Sequence, residues 1–455
     1  MFGSSHDSIT YNIIGDGKVE FTAKLVEAWK IVAFSRIANR VLMLISDFKA
    51  ENFRDLERKA SEIPWELFLP NERSVHIHVT CKHSRLYHSD AVAERLQKVI
   101  EGGSAPLASA SSSFRPPSRN LAEASATPSA GAPRNAPKAE ENVPPQNLYV
   151  TLIDDRCTVW LDLAGEELYK RGHERFVNDA PLKETIASAM LFEAISTLHI
   201  IHHQSSIINY PLSIALIDPM AGSGTFSLEA AYMANGFIPG KCRDFALKHQ
   251  PAFKQATWDF LIRRETRYTT LGALPRSGCY PLWGDERREK GNNILKIVTS
   301  DISERAVEII QHNVECCPLA KSTTGEQAAP TVNPQHRDFF SYTAAEIADA
   351  CPEGSSPVIV LNPPYGKRLD FDAPKLYTKI GKKLAELARE LAPLGNALTV
   401  AILAPKDDPR PGSKYTCTAN LLRECPALDA AKNRDAKCIV TSHGGLSLNA
   451  IFARI

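Results

Sequence analysis

The chain has 455 residues, 44% hydrophobic and 23% charged, a balance typical of soluble globular protein with length for two or three cores. Fifty-three Lys and Arg oppose 52 Asp and Glu for a formal charge of +1, which excludes a histone-like global basic field and leaves room only for a local basic groove. The ten cysteines are scattered, with Cys316 and Cys317 adjacent and no C-x-x-C pair, so neither a zinc ribbon nor a disulfide framework is written and reduced thiols are expected. No apolar run reaches the ~18 residues of a membrane span, and MFGSSHDSITYN lacks the basic and apolar stretches of a secretory signal. A cytoplasmic protein without membrane contact is expected.

The first predicted elements lie within Gly15 to Glu101. Apolar residues at helical spacing predict one helix in Phe21 to Ile45 and another in Phe53 to Ile63, SVHIHVTC (Ser74 to Cys81) alternates as a half-buried strand, and Asp90 to Ile100 returns to the helical period. Residues 1–101 therefore read as a small α+β module, suited to binding. His76, His78, Cys81, His83 and His88 gather around its strand, but imidazoles at i, i+2 on a strand are more often solvated than metal-bound, and no metal is expected.

Composition then changes sharply. Residues 102–146 (GGSAPLASASSSFRPPSRNLAEASATPSAGAPRNAPKAEENVPPQ) are dominated by Ala, Ser and Pro and have too little to bury to fold, so a disordered linker is expected, with protease cutting there to release a stable fragment beginning near Leu148. Residues 147–455 form the remaining domain. LYVTLIDDRCTVWLDL (Leu148 to Leu163) predicts a hairpin with Asp154 and Asp155 at its turn. Pro181 is placed to open a helix through Leu198; His199, His202 and His203 near its end suit a surface helix terminus rather than a site. Strands and helices alternate from there to about residue 410, the pattern of an open parallel sheet.

Two segments carry the chemistry. In SIALIDPMAGSGTFSLEA (Ser213 to Ala230), an apolar strand ends in Asp218, a tight turn follows through Pro219, Ala221, Gly222, Ser223 and Gly224, and a helix begins at about Thr225. This is the first strand-turn-helix of a Rossmann-like domain, where glycines let the backbone approach a nucleotide-like ligand. Ser227 stands where a dinucleotide fingerprint has its third small residue, and the G-K-[ST] of a P-loop is absent; NAD and ATP are disfavoured. An acid beside the ligand opposes a pyrophosphate and favours the cationic amine and sulfonium of S-adenosylmethionine.

The second segment is PVIVLNPPYGKR (Pro357 to Arg368). A buried strand delivers Asn362, Pro363, Pro364 and Tyr365 to its carboxyl end, where two prolines stiffen the turn and leave the Asn362 side chain and the Pro363 carbonyl as fixed acceptors suited to a planar amino group. Between the two segments, IVTSDI (Ile297 to Ile302) should be the second sheet strand, ending in Asp301 with a carboxylate for the ribose hydroxyls. Asp338, in HRDFF (His336 to Phe340), should fall near an adenine amine; taken alone, either acid is equally well a helix N-cap.

The whole pattern resembles the bacterial rRNA N2-guanine methyltransferases of the RlmL type, S-adenosylmethionine-dependent enzymes with an N-terminal THUMP RNA-binding domain. The resemblance covers most of the chain outside the linker: RVLMLISDF (Arg40 to Phe48), IPW (Ile63 to Trp65), TCKHSRLYHSDAVAERL (Thr80 to Leu96), LDLAGEELYKRGHE (Leu161 to Glu174), APLKETIA (Ala180 to Ala187), DPMAGSGTFSLEAA, FIPGKCRDF (Phe237 to Phe245), SDIS, RDFF and NPPYGKRL. It implies an α/β Rossmann-like class I methyltransferase domain with a smaller α+β THUMP-like domain. It also implies S-adenosylmethionine as cofactor, RNA and specifically rRNA as partner, and a cofactor site of Asp218, Pro219, Ala221, Gly222, Ser223, Gly224, Asp301, Ile302, Asp338, Phe339 and Asn362. Family members usually carry an additional N-terminal stretch and a fused second methyltransferase domain, so the THUMP half is expected to be incomplete or to begin differently, with one active site.

Asn362, Pro363, Pro364 and Tyr365 form the catalytic turn, in which two acceptors hold the hydrogens of the base amine so that its lone pair meets the methyl group. Tyr365 is expected to stack on a flipped base, and Lys367 and Arg368 to hold flanking phosphates, though as loop charges they serve solvation equally well. The same turn suits DNA adenine or protein glutamine; tRNA guanine and a non-catalytic RNA-binding role also stay open. The sequence does not fix an oligomeric state.

Overall fold

The computed structural model describes residues 11–15, 17–70, 75–102, 146–177, 181–204, 213–269, 294–321, 331–365, 372–408, 410 and 416–455. They fall into two compact units, one of Met1–Val41, Glu167–Arg243 and Gln255–Ile455 and one of Leu42–Glu166 and Asp244–Lys254.

The first elements belong to the larger unit. A hairpin of β1 (Tyr11–Gly15) and β2 (Lys18–Phe21) precedes α1 (Leu25–Phe34), which buries Trp29, Ile31, Val32 and Ala33. The helix expected through Ile45 ends at Ser35 in extended backbone, and Leu42 to Ile45 belongs to a strand. Four consecutive apolar residues fit both periods, and sheet pairing decided between them.

The smaller unit starts there, with β3 (Leu42–Lys49), α2 (Phe53–Ser61), β4 (Val75–Lys82), α3 (Ser89–Gly102), β5 (Gln146–Ile153) and β6 (Arg156–Asp162). Its sheet has the order β3-β6-β5-β4, with β5 parallel to β4 and antiparallel to β6, and β6 antiparallel to β3. Asp154 and Asp155 turn the β5–β6 hairpin at φ +50° and +62°, the pair of positive values that matches the twist of the flanking strands. Leu148, Val150, Leu152, Val159 and Leu161 alternate onto one face and bury against Leu56, Val92 and Leu96 of the helices.

This corrects the expected division at 101 and 147. The hairpin assigned to the second domain completes the sheet of the first, because the outer edge of β5 pairs with β4 and that of β6 with β3, while residues before Leu42 group with the larger unit. A fragment starting at Leu148 would therefore carry an orphaned hairpin. Gly102 and Gln146 are the last residue of α3 and the first of β5; the expected linker between them lies outside the described residues.

The larger unit continues with α4 (Glu184–Gln204), β7 (Ser213–Asp218), α5 (Thr225–Ala234), α6 (Gln255–Thr269), β8 (Ile294–Asp301), α7 (Glu304–Cys316), β9 (Pro334–His336), α8 (Ala344–Asp349), β10 (Ser355–Leu361), α9 (Ala373–Leu391), β11 (Thr399–Pro405), α10 (Cys417–Glu424), β12 (Ala436–His443) and β13 (Leu446–Arg454). The helix expected to open at Pro181 begins at Glu184, leaving the Pro181 carbonyl free to meet His443 Nε2 at 3.0 Å. Seven strands form one sheet in the order β12-β13-β11-β10-β7-β8-β9, parallel from β11 to β9, with β13 and β12 added antiparallel as a closing hairpin that the sequence pattern did not announce. Its central strands are apolar on both faces, as parallel strands covered on both sides must be. Leu216, Val358 and Val360 point into a core shared with α4 and α5, whereas Ile217, Ile359 and Leu361 point into one shared with α9 and α10. At Gly381 of α9 a Cβ would sit 2.8 Å from the Leu421 carbonyl oxygen, so only glycine permits this approach to α10. No described helix is long and apolar enough to cross a membrane.

Candidate active site

The chain leaves β7 toward β8 and β9 on one side, and β10 later pairs with the other side of β7. The strand order reverses between β7 and β10, and in open α/β sheets ligands bind at the carboxyl ends of the strands at such a point. Asp218 closes β7 and Asn362 follows β10.

The turn after β7 is held by three of its amides. The Ala221 amide donates to the Ser300 carbonyl at 3.1 Å, the Gly222 amide to Asp301 Oδ2 at 2.8 Å and the Gly224 amide to the Ala221 carbonyl at 2.7 Å. Gly222 and Gly224 adopt φ +57° and +77°, values that L side chains rarely take. A Cβ at Gly222 would meet nothing within 4 Å among the described residues, so among them that glycine lines open space.

Asp218 is 1% exposed. Its Oδ2 accepts from the Ser227 amide at 3.2 Å and the Ser227 hydroxyl at 2.7 Å, and Thr299 Oγ1 donates to that hydroxyl at 2.8 Å. Ser227, at the position that weighs against a dinucleotide, is thus the residue that ties strand to helix. The second oxygen, Oδ1, is buried with no partner among the described residues. Burial, with a smaller contribution from Asp301, lifts the Asp218 carboxyl to about 7. A desolvated carboxylate oxygen of this kind is stabilised by an incoming cation.

Asp301 Oδ2 takes the Gly222 amide and its Oδ1 takes the Ser303 amide at 2.9 Å. The acid therefore joins the two turns, with one further lone pair on each oxygen for a ligand. Ile302 beside it is 66% exposed, an apolar surface at the strand tip. Asp338 caps the short helical turn Phe339–Ser341, its Oδ1 accepting from the Phe340 amide at 3.0 Å, so the N-cap alternative describes its present contact. Phe339 is 2% exposed in the core beneath α9, which leaves its backbone rather than its ring to face a ligand.

Asn362 Oδ1 is the matching feature just after β10: it is buried and has no hydrogen-bond partner among the described residues. Pro363 is buried, Pro364 exposed, and Tyr365 half-buried against the α4–α5 core. Lys367 and Arg368 lie outside the described residues. His76 and His78 stand exposed on β4, His78 stacked on Tyr149 with centroids 4.8 Å apart. Among the described residues no group of three His, Cys, Asp or Glu side chains is arranged to hold a metal.

Sequence reasoning assigned no role to two arginines. Arg171 grips Glu229 of α5 in a bidentate pair, Nε to Oε1 and Nη2 to Oε2, both at 3.0 Å, while Ser188 and Arg36 also donate to Oε2. Burial acts to raise the Glu229 carboxyl, but Arg171 and Arg36 together hold it below the usual carboxylate range. A glutamate within the fully buried run Thr225 to Tyr232 was the available signal, since a charge on such a helix requires a partner. Arg175 reaches the glycine turn itself: Nη2 donates to Thr225 Oγ1 at 2.6 Å and to the Ser223 carbonyl and hydroxyl oxygens at 3.2 Å each.

Residues 209–401 match the family model described as RMKL-like, methyltransferase domain. The ribosomal RNA large subunit methyltransferase K/L of Psychromonas ingrahamii is 26% identical over 377 residues, covering 80% of this chain and 40% of that protein. The chain thus spans about two fifths of that relative's length. The solved structure of SMU.472 complexed with SAH superimposes with a TM-score of 0.62 at 20% identity, covering 98% of this chain and 91% of that one. A protein from Listeria monocytogenes titled a predicted N6-adenine-specific DNA methylase gives a TM-score of 0.61 at 20% identity, covering 97% and 89%. The resemblance to the RlmL-type methyltransferases is upheld, and the fold is that of a Rossmann-like methyltransferase domain.

Proposed function

We propose, proceeding from a methyltransferase domain of the RlmL type, that this chain transfers a methyl group from S-adenosylmethionine to the exocyclic N2 of a guanine in RNA, with large-subunit rRNA as substrate. The observation that carries the reading is the buried Oδ1 of Asn362 one residue beyond β10, across the switch point from the buried Asp218 Oδ1, neither of which has a partner among the described residues. Two unsatisfied buried acceptors are costly unless a ligand supplies donors; an ammonium group meets one and a planar amino group the other.

S-adenosylmethionine, when bound, supplies an electrophilic methyl group. Asp218 would hold its ammonium, Asp301 its ribose hydroxyls, Ile302 the flat face of its base, and the Asp338 turn its adenine edge. Asn362 Oδ1 and the Pro363 carbonyl accept the two hydrogens of the guanine amine, which turns the nitrogen lone pair out of conjugation and toward the methyl donor. No strong general base is needed, because the proton leaves after positive charge has developed on nitrogen. Alignment of this kind contributes on the order of 7 to 11 kcal/mol in favourable cases. Tyr365 stacks on the flipped base, Lys367 and Arg368 hold flanking phosphates, and the smaller unit, read as THUMP-like, captures the RNA in the cytoplasm.

The test is labelled methyl transfer to unmodified rRNA, duplex DNA and a glutamine peptide, followed by nucleoside mass spectrometry. N2-methylguanosine from RNA is the expected product. N6-methyladenine from DNA, a methylated peptide, or no transfer to RNA would overturn the reading.

A further inference from the structure

Gly222 and Gly224 confer a freedom on the turn that works against binding, because a turn with many conformations must lose them when it takes up a ligand. The peptide joining Ser223 to Gly224 is nevertheless held at both ends. Its N–H donates to the Ala221 carbonyl at 2.7 Å, and its carbonyl, on the opposite side of the planar unit, accepts from Arg175 Nη2 and from Asn313 Nδ2, both at 3.2 Å. Asn313, on α7, also holds the residue after the arginine, donating to the Phe176 carbonyl at 2.9 Å and accepting from the Phe176 amide at 2.8 Å.

Arg175 is about nine-tenths buried, and its Nη1 is anchored by Glu184 Oε1 at 2.6 Å. Its Nε is buried with no partner among the described residues. A buried guanidinium that leaves one donor unsatisfied is not the arrangement that stability alone would favour; the arginine keeps it while sending Nη2 to three oxygens of the turn.

We propose that Arg175 is a positioning residue for the cofactor: by clamping the Ser223 carbonyl and the Ser223 and Thr225 hydroxyls, it holds the glycine turn in its binding conformation without touching the ligand. This rests on the reading of the turn as an S-adenosylmethionine site. Lysine cannot replace the arginine, because one ammonium cannot span Glu184 and the turn as a planar fork does.

Calorimetric titration of S-adenosylhomocysteine into the full chain tests it, with unliganded Tm measured on every variant. Arg175→Lys and Arg175→Gln should each weaken affinity at least tenfold and raise KM for S-adenosylmethionine to match, with KM for RNA within about twofold of wild type. Glu184→Gln removes the anchor charge but leaves the clamp, and should change affinity less than threefold. Equal affinity in wild type and folded Arg175→Lys would overturn the proposal, as would a loss in Glu184→Gln as large as in the arginine variants, which would assign the effect to the ion pair. Failure of wild type itself to bind would instead overturn the cofactor reading.

Discussion

After β7, four backbone groups of one turn are tied down by Ser300, Asp301, Ala221 and the Arg175–Asn313 pair. After β10, Asn362 Oδ1 has no hydrogen-bond partner among the described residues, and two prolines stiffen the backbone without offering an N–H. Both turns are rigid, the first through many bonds and the second through covalent rings. The difference follows from their tasks. A cofactor is bound by a surface whose shape is already set, whereas an acceptor that must hold a reacting amine has to be kept unsatisfied until the substrate arrives.

The contrast breaks most severely at the first turn with Gly222→Val. A β-branched residue at φ +57° costs about 1–2 kcal/mol in backbone strain and fills the open space in front of the turn, so S-adenosylhomocysteine affinity should drop by at least about 100-fold, read by calorimetry. Asp218→Asn is milder: the amide oxygen still accepts from Ser227, but the charge is gone, and affinity should weaken by about tenfold or more. A loss under threefold in either variant would mean that the turn is not the cofactor site.

Smaller again is the effect of pH. With the Asp218 carboxyl lifted to about 7, ligand affinity should be flat above that value and weaken below it, by at most about tenfold per unit, as protons compete with the ammonium. Stability of the unliganded protein runs in the opposite sense. An acid whose folded pKa is raised contributes stability that is complete below its unfolded value and is lost as pH rises through about 7. Tm should therefore climb between pH 7.5 and 6 while affinity falls, and Asp218→Asn should flatten both slopes. The smallest effect concerns the chain break. Cleavage within 103–145 should leave the pieces together on gel filtration, because β5 pairs with β4 and β6 with β3 across the cut; separation without denaturant would contradict the sheet order.

The ends of β7 and β10 were legible because each is a short apolar run closed by a turn residue, and parallel strands covered on both faces are written that way. Asp218 and Asn362 follow from being the first polar residues after those runs, and Asp301 from being the first acid after Ile297 and Val298. The domain boundary at 101 was not legible, since a linker in sequence says nothing about whether the chain re-enters the same sheet. Arg175 escaped for a related reason: its partners Glu184, Ser223 and Thr225 lie 9 to 50 residues away, and no local period reports them. Phe339 entered the cofactor site through the family resemblance, and no local period reports that its ring belongs to the core.

The division between a turn that binds and a turn that aims is tested most directly by Asn362→Ala, with S-adenosylhomocysteine affinity and single-turnover methyl transfer to RNA measured on one preparation. The affinity should stay within about threefold of wild type while the rate falls by about 100-fold, a few kcal/mol of lost alignment. A rate above about a tenth of wild type, or a loss of affinity as large as the loss of rate, would contradict it.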